Sequence, residues 1–183
     1  MRFAVWVLLG IALSLTGCNT TPYDRATVYY DRAQYPSDLV KSFPDISDPI
    51  IQHGRCSLII TTPNSNTGTY YFCTFALTSN DLFVMGWNGK TMKYEELANV
   101  KLSALKKISI WSFFRARQLQ LTEGQRLLGL SVTIDDGGYD DAAGTERLFE
   151  TLKSKGITVV KSEGQISPPP APAPMFIPII IPK

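Results

Sequence analysis

Cys56 and Cys73, one histidine and a cluster of aspartates carry chemistry beyond packing in the body of this sequence. The segments around the two cysteines read as strands, with Pro63-Asn64-Ser65-Asn66 between them. A hairpin turning midway between Asn64 and Ser65 sets Cys56 opposite Cys73, Leu58 opposite Tyr71 and Ile60 opposite Thr69. Directly opposed residues hold their Cβ atoms about 4.5–5.5 Å apart, close to disulfide range. In an oxidising compartment the pair is predicted to form a disulfide; the rival reading is two buried free thiols. His53 is the only histidine, and no serine or cysteine has a visible base beside it, so no catalytic residue is assigned and the chain reads as a non-enzyme. Asp135, Asp136, Asp140 and Asp141 supply hard oxygen ligands of the kind calcium takes. Their spacing lacks the alternation of a calcium loop, and Gly137-Gly138 reads equally as a turn, so neither metal nor cofactor is assigned.

The elements that must position these residues are mostly strands. Arg55–Thr61 and Thr69–Leu77 are rich in β-branched and aromatic residues. Thr78-Ser79-Asn80-Asp81 is a turn cluster, and Leu82–Trp87 a strand. Asn88-Gly89 predicts a type I′ hairpin, opposing Met85 to Met92 and Phe83 to Tyr94, with Lys90–Tyr94 returning. Val100–Leu102, Ile108–Phe114 and Ala116–Leu121 follow. After the turn at Glu123-Gly124, residues 125–134 carry Leu128, Leu130, Val132 and Ile134 on one face. The period then changes. Ala142–Lys155 reads as a helix capped by Asp141, with Thr145, Leu148, Phe149 and Leu152 on its apolar face and Gly156 just past its end. Ile157–Val160 suits a short extended piece.

Both flanks differ from this block. Residues 18–54 are polar and interrupted by Pro22, Pro36, Pro44 and Pro49. They read as a tether reaching at most about 120 Å, although Tyr23, Tyr29, Tyr30 and Tyr35 are unusual for a bare linker. Part of this segment lying on the domain, or a helical turn over Ala26–Ala33, is the alternative. Residues 161–183 are rich in Pro and Ala and end in the apolar Met175–Lys183. This tail is either packed or loose, or an extended partner-docking peptide. The resulting division is 1–17, 18–54, 55–160 and 161–183. With residues 1–17 removed the balance is 17 basic against 16 acidic, or +1, which gives no case for nucleic acid or an anionic lipid surface. The most basic stretch, Lys106, Lys107, Arg115 and Arg117, reads as solvated strand positions.

The first residues give an address. Arg2 is a one-charge n-region, and Phe3–Leu15 is an apolar run too short to span a bilayer but long enough for a signal h-region. Leu15-Thr16-Gly17-Cys18 follows directly and resembles the lipobox of bacterial lipoproteins. The resemblance implies cleavage after residue 17, a diacylglycerol on the Cys18 thiol and acylation of the new amine. Two or more acyl chains hold a protein in its leaflet, so the implied partner is membrane lipid. Asn19, where an Asp favours inner-membrane retention, implies the outer membrane with the domain facing the periplasm; the alternative is the outer face of an inner or plasma membrane. In that oxidising setting only Cys56 and Cys73 remain to pair.

Phe75-Ala76-Leu77-Thr78-Ser79-Asn80-Asp81-Leu82-Phe83-Val84 resembles the first hairpin of bacterial PH-like and GRAM-like domains. Tyr94-Glu95-Glu96-Leu97-Ala98-Asn99-Val100 is similar to their next element, Leu119–Gly124 to a later strand and turn, and Glu146–Leu152 to the helix that plugs their barrel. The resemblance covers residues 55–157, with Arg55–Thr61 as an added strand and a longer loop at Asp135–Asp141. It implies a mainly β (α+β) fold, a PH-like antiparallel barrel of about seven strands closed by one C-terminal helix. The alternative is another small β-barrel or a sandwich with a packed helix. PH-like folds bind peptides, lipids or proteins, which implies an adaptor with an envelope protein partner, docked by strand addition at an exposed sheet edge beside the helix. An inhibitor of an external enzyme such as lysozyme, or a structural envelope protein, is the alternative.

Overall fold

Runs of β-branched and aromatic residues, cut by short polar turns, build seven strands: β1 (Gln52–Thr61), β2 (Thr69–Leu77), β3 (Asp81–Asn88), β4 (Lys93–Lys101), β5 (Leu105–Phe113), β6 (Ala116–Glu123) and β7 (Arg126–Thr133). The computed structural model describes residues 28–167 apart from 64, 66, 67 and 137. The predicted signal segment, Cys18, Asn19 and the apolar terminus Met175–Lys183 lie outside the described residues. The strands form one antiparallel sheet in the order β4-β3-β2-β1-β7-β6-β5. The first strand is thus the central one, paired with β2 on one side and β7 on the other. β4 and β5, linked by a 3-10 turn at Leu102–Ala104, are the two free ends, so the sheet is barrel-like but not closed.

The concave side of the sheet is the main core. Leu58, Phe75, Leu77, Leu82, Val84, Val100, Ile108, Leu119, Leu121, Leu128 and Leu130 are all buried there. A C-terminal helix, Ala142–Ser154, packs on β5, β6 and β7 and adds Leu148, Phe149 and Leu152 to this core. Each such side chain contributes roughly 1.5–3 kcal/mol on burial, so the helix completes the core rather than decorating it. Its start is fixed by Asp141, whose carboxylate accepts the Gly144 N–H at 2.9 Å. Its end is fixed by Gly156 at φ +83°. The architecture is mainly β, one seven-stranded antiparallel, barrel-like sheet with one C-terminal helix, as the resemblance implied. Arg55–Thr61, read above as an added strand, belongs to β1 and is one of the seven.

Three expectations need correction. First, Lys90–Tyr94 and Val100–Leu102 are not separate strands: 93–101 runs continuously as β4. The polar Glu95, Glu96 and Asn99 hid it, because a strand with one wet face need not look apolar. Leu97 is the extra residue of a bulge and lies over Gly86, where a Cβ would sit 3.3 Å from its side chain. Second, Asn88-Gly89 does not form a two-residue turn. The Asn88 side-chain oxygen accepts the N–H groups of Lys90 and Thr91 at 3.0 and 3.2 Å, and Met92 takes the positive φ of 54°. The longer loop pairs Asn88 with Lys93, so Met85 faces Glu96 and Phe83 faces Asn99.

Third, the tether does not extend to residue 54. From Tyr29 onward the chain lies on the convex face of β1–β4, with a helix over Tyr35–Ser42; of the helical turn expected at Ala26–Ala33, residues 28–33 are described and are not helical. We label this helix α1 and the C-terminal one α2. Tyr35 and Leu39 are fully buried, and with Ile46 they join Ala76, Phe83, Met85 and Tyr94 in a second apolar cluster. Tyr29, Tyr30 and Trp87 ring it, with Tyr35 edge-on to Tyr94 at 5.3 Å between centroids. The tyrosines that made this stretch odd for a linker are its anchors.

The described residues after α2 also pack on the sheet. Residues 158–160 lie alongside β5: the Ile108 N–H donates to the Thr158 carbonyl and the Val160 N–H to the Ile108 carbonyl, both at 2.9 Å. This is the short extended piece expected at Ile157–Val160. Residues 162–166 then cross β6, where the buried amides of Gln118 and Gln120 bond to the backbone of Ile166 and Gly164.

Candidate functional site

The hairpin of β1 and β2 has the register expected from the sequence: Cys56 opposes Cys73, Leu58 opposes Tyr71 and Ile60 opposes Thr69. Both cysteines are buried in the main core, with their sulfurs 3.0 Å apart and no covalent bond between them. Burial, reinforced by the neighbouring thiol, pushes Cys56 well above the ordinary thiol range. The fold therefore juxtaposes the two sulfurs but makes the native thiol a poor nucleophile.

His53 stands on β1, half-buried rather than at the end of a linker, in a groove of about 560 Å³ between β1, the start of the domain and α2. Arg32, Asp135, Arg147, Glu150 and Thr151 line the same groove. The Tyr30 hydroxyl lies 3.0 Å from His53 Nδ1. Burial raises Tyr30 to about 12, so the hydroxyl keeps its proton, and the direction of its bond with Nδ1 follows the His53 tautomer. Burial, with Arg32 second, lowers His53 below its ordinary value, which favours the neutral ring. Arg32 grips Asp135 with two bonds, 2.7 Å from Nε and 3.0 Å from the terminal nitrogen.

The aspartates do not converge. Asp135 is held by Arg32, and its carbonyl accepts from Arg55. Asp141 caps α2 and faces Arg147 at 3.6 Å. Asp140 is raised by burial alone. Among the described residues no three acidic, histidine or cysteine side chains are grouped to hold a metal ion. The basic stretch is also split. Lys106, Lys107 and Arg115 are exposed, whereas Arg117 is partly buried and bonds Glu146 at 2.7 Å.

Two surfaces remain for a partner. The sheet edge expected to be open, beside the C-terminal helix, is that of β5, and it is taken at Ile108 by residues 158–160; one surface is instead the outer side of β4, beyond which no strand lies among the described residues. The other is the β5–β6 hairpin, whose two-residue turn Phe114-Arg115 leaves Phe113 59% and Phe114 86% exposed. The sequence carried a signal for this tip, two adjacent phenylalanines at a strand end, but Ile108–Phe114 read as strand throughout. The pairing of Tyr30 with His53 and of Arg32 with Asp135 joins residues up to 103 positions apart, which no local pattern encodes.

No family model matches the chain, and no curated protein does. Among solved structures it is similar to the hSac2 domain from the human phosphoinositide phosphatase Sac2, at 12% identity and a TM-score of 0.43, over 81% of this chain and 100% of that one. It is also similar to Vav1 in complex with an allosteric inhibitor, at 13% identity and a TM-score of 0.44. That match covers 67% of this chain and 32% of the Vav1 chain.

Proposed function

We propose that this chain is a lipid-anchored protein of the bacterial envelope whose PH-like domain serves as a non-enzymatic binding adaptor. The anchor is Cys18 in Leu15-Thr16-Gly17-Cys18, and Asn19 directs it to the outer membrane with the domain in the periplasm. The observation that carries the adaptor reading is the use made of the reactive side chains. Tyr30 occupies His53 Nδ1, Arg32 occupies Asp135, and Asp141 is spent on the Gly144 N–H. The first two bonds hold the start of the domain to β1 and to the loop after β7, and the third fixes the start of α2, as a rigid binding scaffold requires. A sheet that ends at β4 offers an extended partner backbone donors and acceptors to pair with.

Crosslinking in intact cells, followed by affinity purification and mass spectrometry of the full chain, tests the proposal beside a Cys18→Ala control. One dominant envelope partner, lost in the control, is the expected result. The same partner recovered equally without the acylated cysteine would overturn the anchored reading, and recovery of bait alone would overturn the adaptor.

A further inference from the structure

The β5–β6 hairpin carries its largest apolar side chains where the fold has no use for them. Phe113 and Phe114 pack only edge-to-face on one another, at 4.8 Å between ring centroids, and Trp111 stacks behind Phe113 at 6.0 Å. Phe114 also has a φ of +48°. A bulky L-residue is strained there, and Gly, Asn or Asp would make the same turn more easily. The ring at this position therefore costs conformational energy and contributes no core packing.

The turn is nonetheless held firmly. Arg117 donates to the Phe114 carbonyl at 2.8 Å and to Glu146 at 2.7 Å. This fixes the tip and neutralises the carboxylate behind it. Exposed Arg115 completes the turn. A rigid convex tip of two phenylalanines, backed by a tryptophan and flanked by an arginine, has the chemistry of a membrane interface. The rings enter the acyl boundary, the indole sits at headgroup level and the guanidinium meets phosphate.

From these observations we infer that the Trp111–Arg115 tip inserts into the lipid surface and sets the orientation of the domain on it. The inference rests on the anchored reading proposed above, and the shortened tether strengthens it. Residues 18–28 reach at most about 35 Å, roughly the diameter of a domain this size. That reach holds the start of the domain within about one domain diameter of the bilayer. The tip is the most apolar protrusion among the described residues.

The test uses the full chain, purified from membranes in detergent and reconstituted into vesicles of phosphatidylethanolamine and phosphatidylglycerol, with and without brominated acyl chains. Tryptophan emission should fall in the brominated vesicles, by less than about two-fold because Trp87 also emits. Trp111→Phe should abolish the difference, which assigns it to the tip. The double variant Phe113→Ser, Phe114→Asn should also abolish it while melting at the same temperature or higher, because Asn tolerates the positive φ. Equal Trp111 emission in both vesicle types would overturn the inference. The mass of the N-terminal peptide from the same sample reports on the anchor independently. An acylated chain without quenching removes the tip alone, a quenched chain without acyl groups removes the anchor alone, and a chain with neither removes both.

Discussion

Oxidising the Cys56–Cys73 pair should change the stability of this domain by an amount its geometry fixes. The two residues are 17 positions apart, directly opposed, and in sulfur contact at 3.0 Å. Closing a loop of that length removes about 10 cal/mol/K of entropy from the unfolded chain, or about 3 kcal/mol at 25 °C. The register needs only a small approach of the sulfurs, so little of this gain should be lost to distortion. For a domain of this size, 3 kcal/mol corresponds to roughly 10 °C in melting temperature. Because burial holds Cys56 protonated, the bond must form during folding, when an oxidised dithiol of the envelope can still reach a thiolate. Two measurements check this. Chain exported through the envelope, denatured and alkylated without reductant, should show neither thiol labelled, and both labelled after reduction. The same chain unfolded, reduced, refolded and kept reduced should melt about 10 °C lower. A Cys56→Ala, Cys73→Ala variant should melt lower still and show no response to reductant. Two labelled thiols in the exported chain, or equal melting of oxidised and reduced forms, would refute the reasoning.

Phe149 is 7% exposed within the main core; replacing it by Asp forfeits about 3–5 kcal/mol of packing and adds a buried carboxylate. That approaches the whole stability of a domain, so Phe149→Asp should show no cooperative melt, and an unchanged melt would end the helix-plug account. Leu39→Ala should cost about 2–5 kcal/mol, read as a lower melting temperature and faster proteolysis between residues 28 and 51; a neutral result would mean that α1 adds nothing to the fold. His53 is lowered by burial and by Arg32, so the unfolded chain takes up a proton where the native one does not. Stability from this group is full above about pH 6.5 and is lost as pH falls. The wild type should therefore lose more melting temperature between about pH 7.5 and pH 5 than His53→Asn, whose amide still bonds Tyr30, and equal losses would clear His53 of the effect.

The strands that face the core on one side were legible because their apolar residues recur every second position. Leu119 and Leu121 on β6, and Leu128, Leu130 and Val132 on β7, are buried as that period demands. The helix was legible from Thr145, Leu148, Phe149 and Leu152, and the cysteine register from counting outward from the turn. The segment around α1 was misread because it buries only Tyr35 and Leu39 within its helix and draws the rest of its packing from tyrosines that could equally sit in solvent. Its partner surface, Ala76, Phe83 and Met85, made β2 and β3 apolar on both faces. That doubled burial was a trace of the missing layer. Of the candidate groove, only His53 and the aspartates were visible beforehand, since ion pairs and hydrogen bonds between distant segments leave no periodic mark.

The central place of β1 has a kinetic consequence. β1 opens the sheet in sequence yet needs β7 as its second neighbour, so Cys56 must wait for Val132. Sheets that rely on such distant pairings fold slowly, because loop entropy is lost before the contacts that reward it are made. The β1–β2 hairpin, by contrast, is local, and its cysteines can lock together long before β7 arrives. The chain therefore has an early step that can be made irreversible and a late one that completes the barrel. Between them, the free side of β1 is exposed to other chains, and it is during that interval that this protein should be most prone to aggregate.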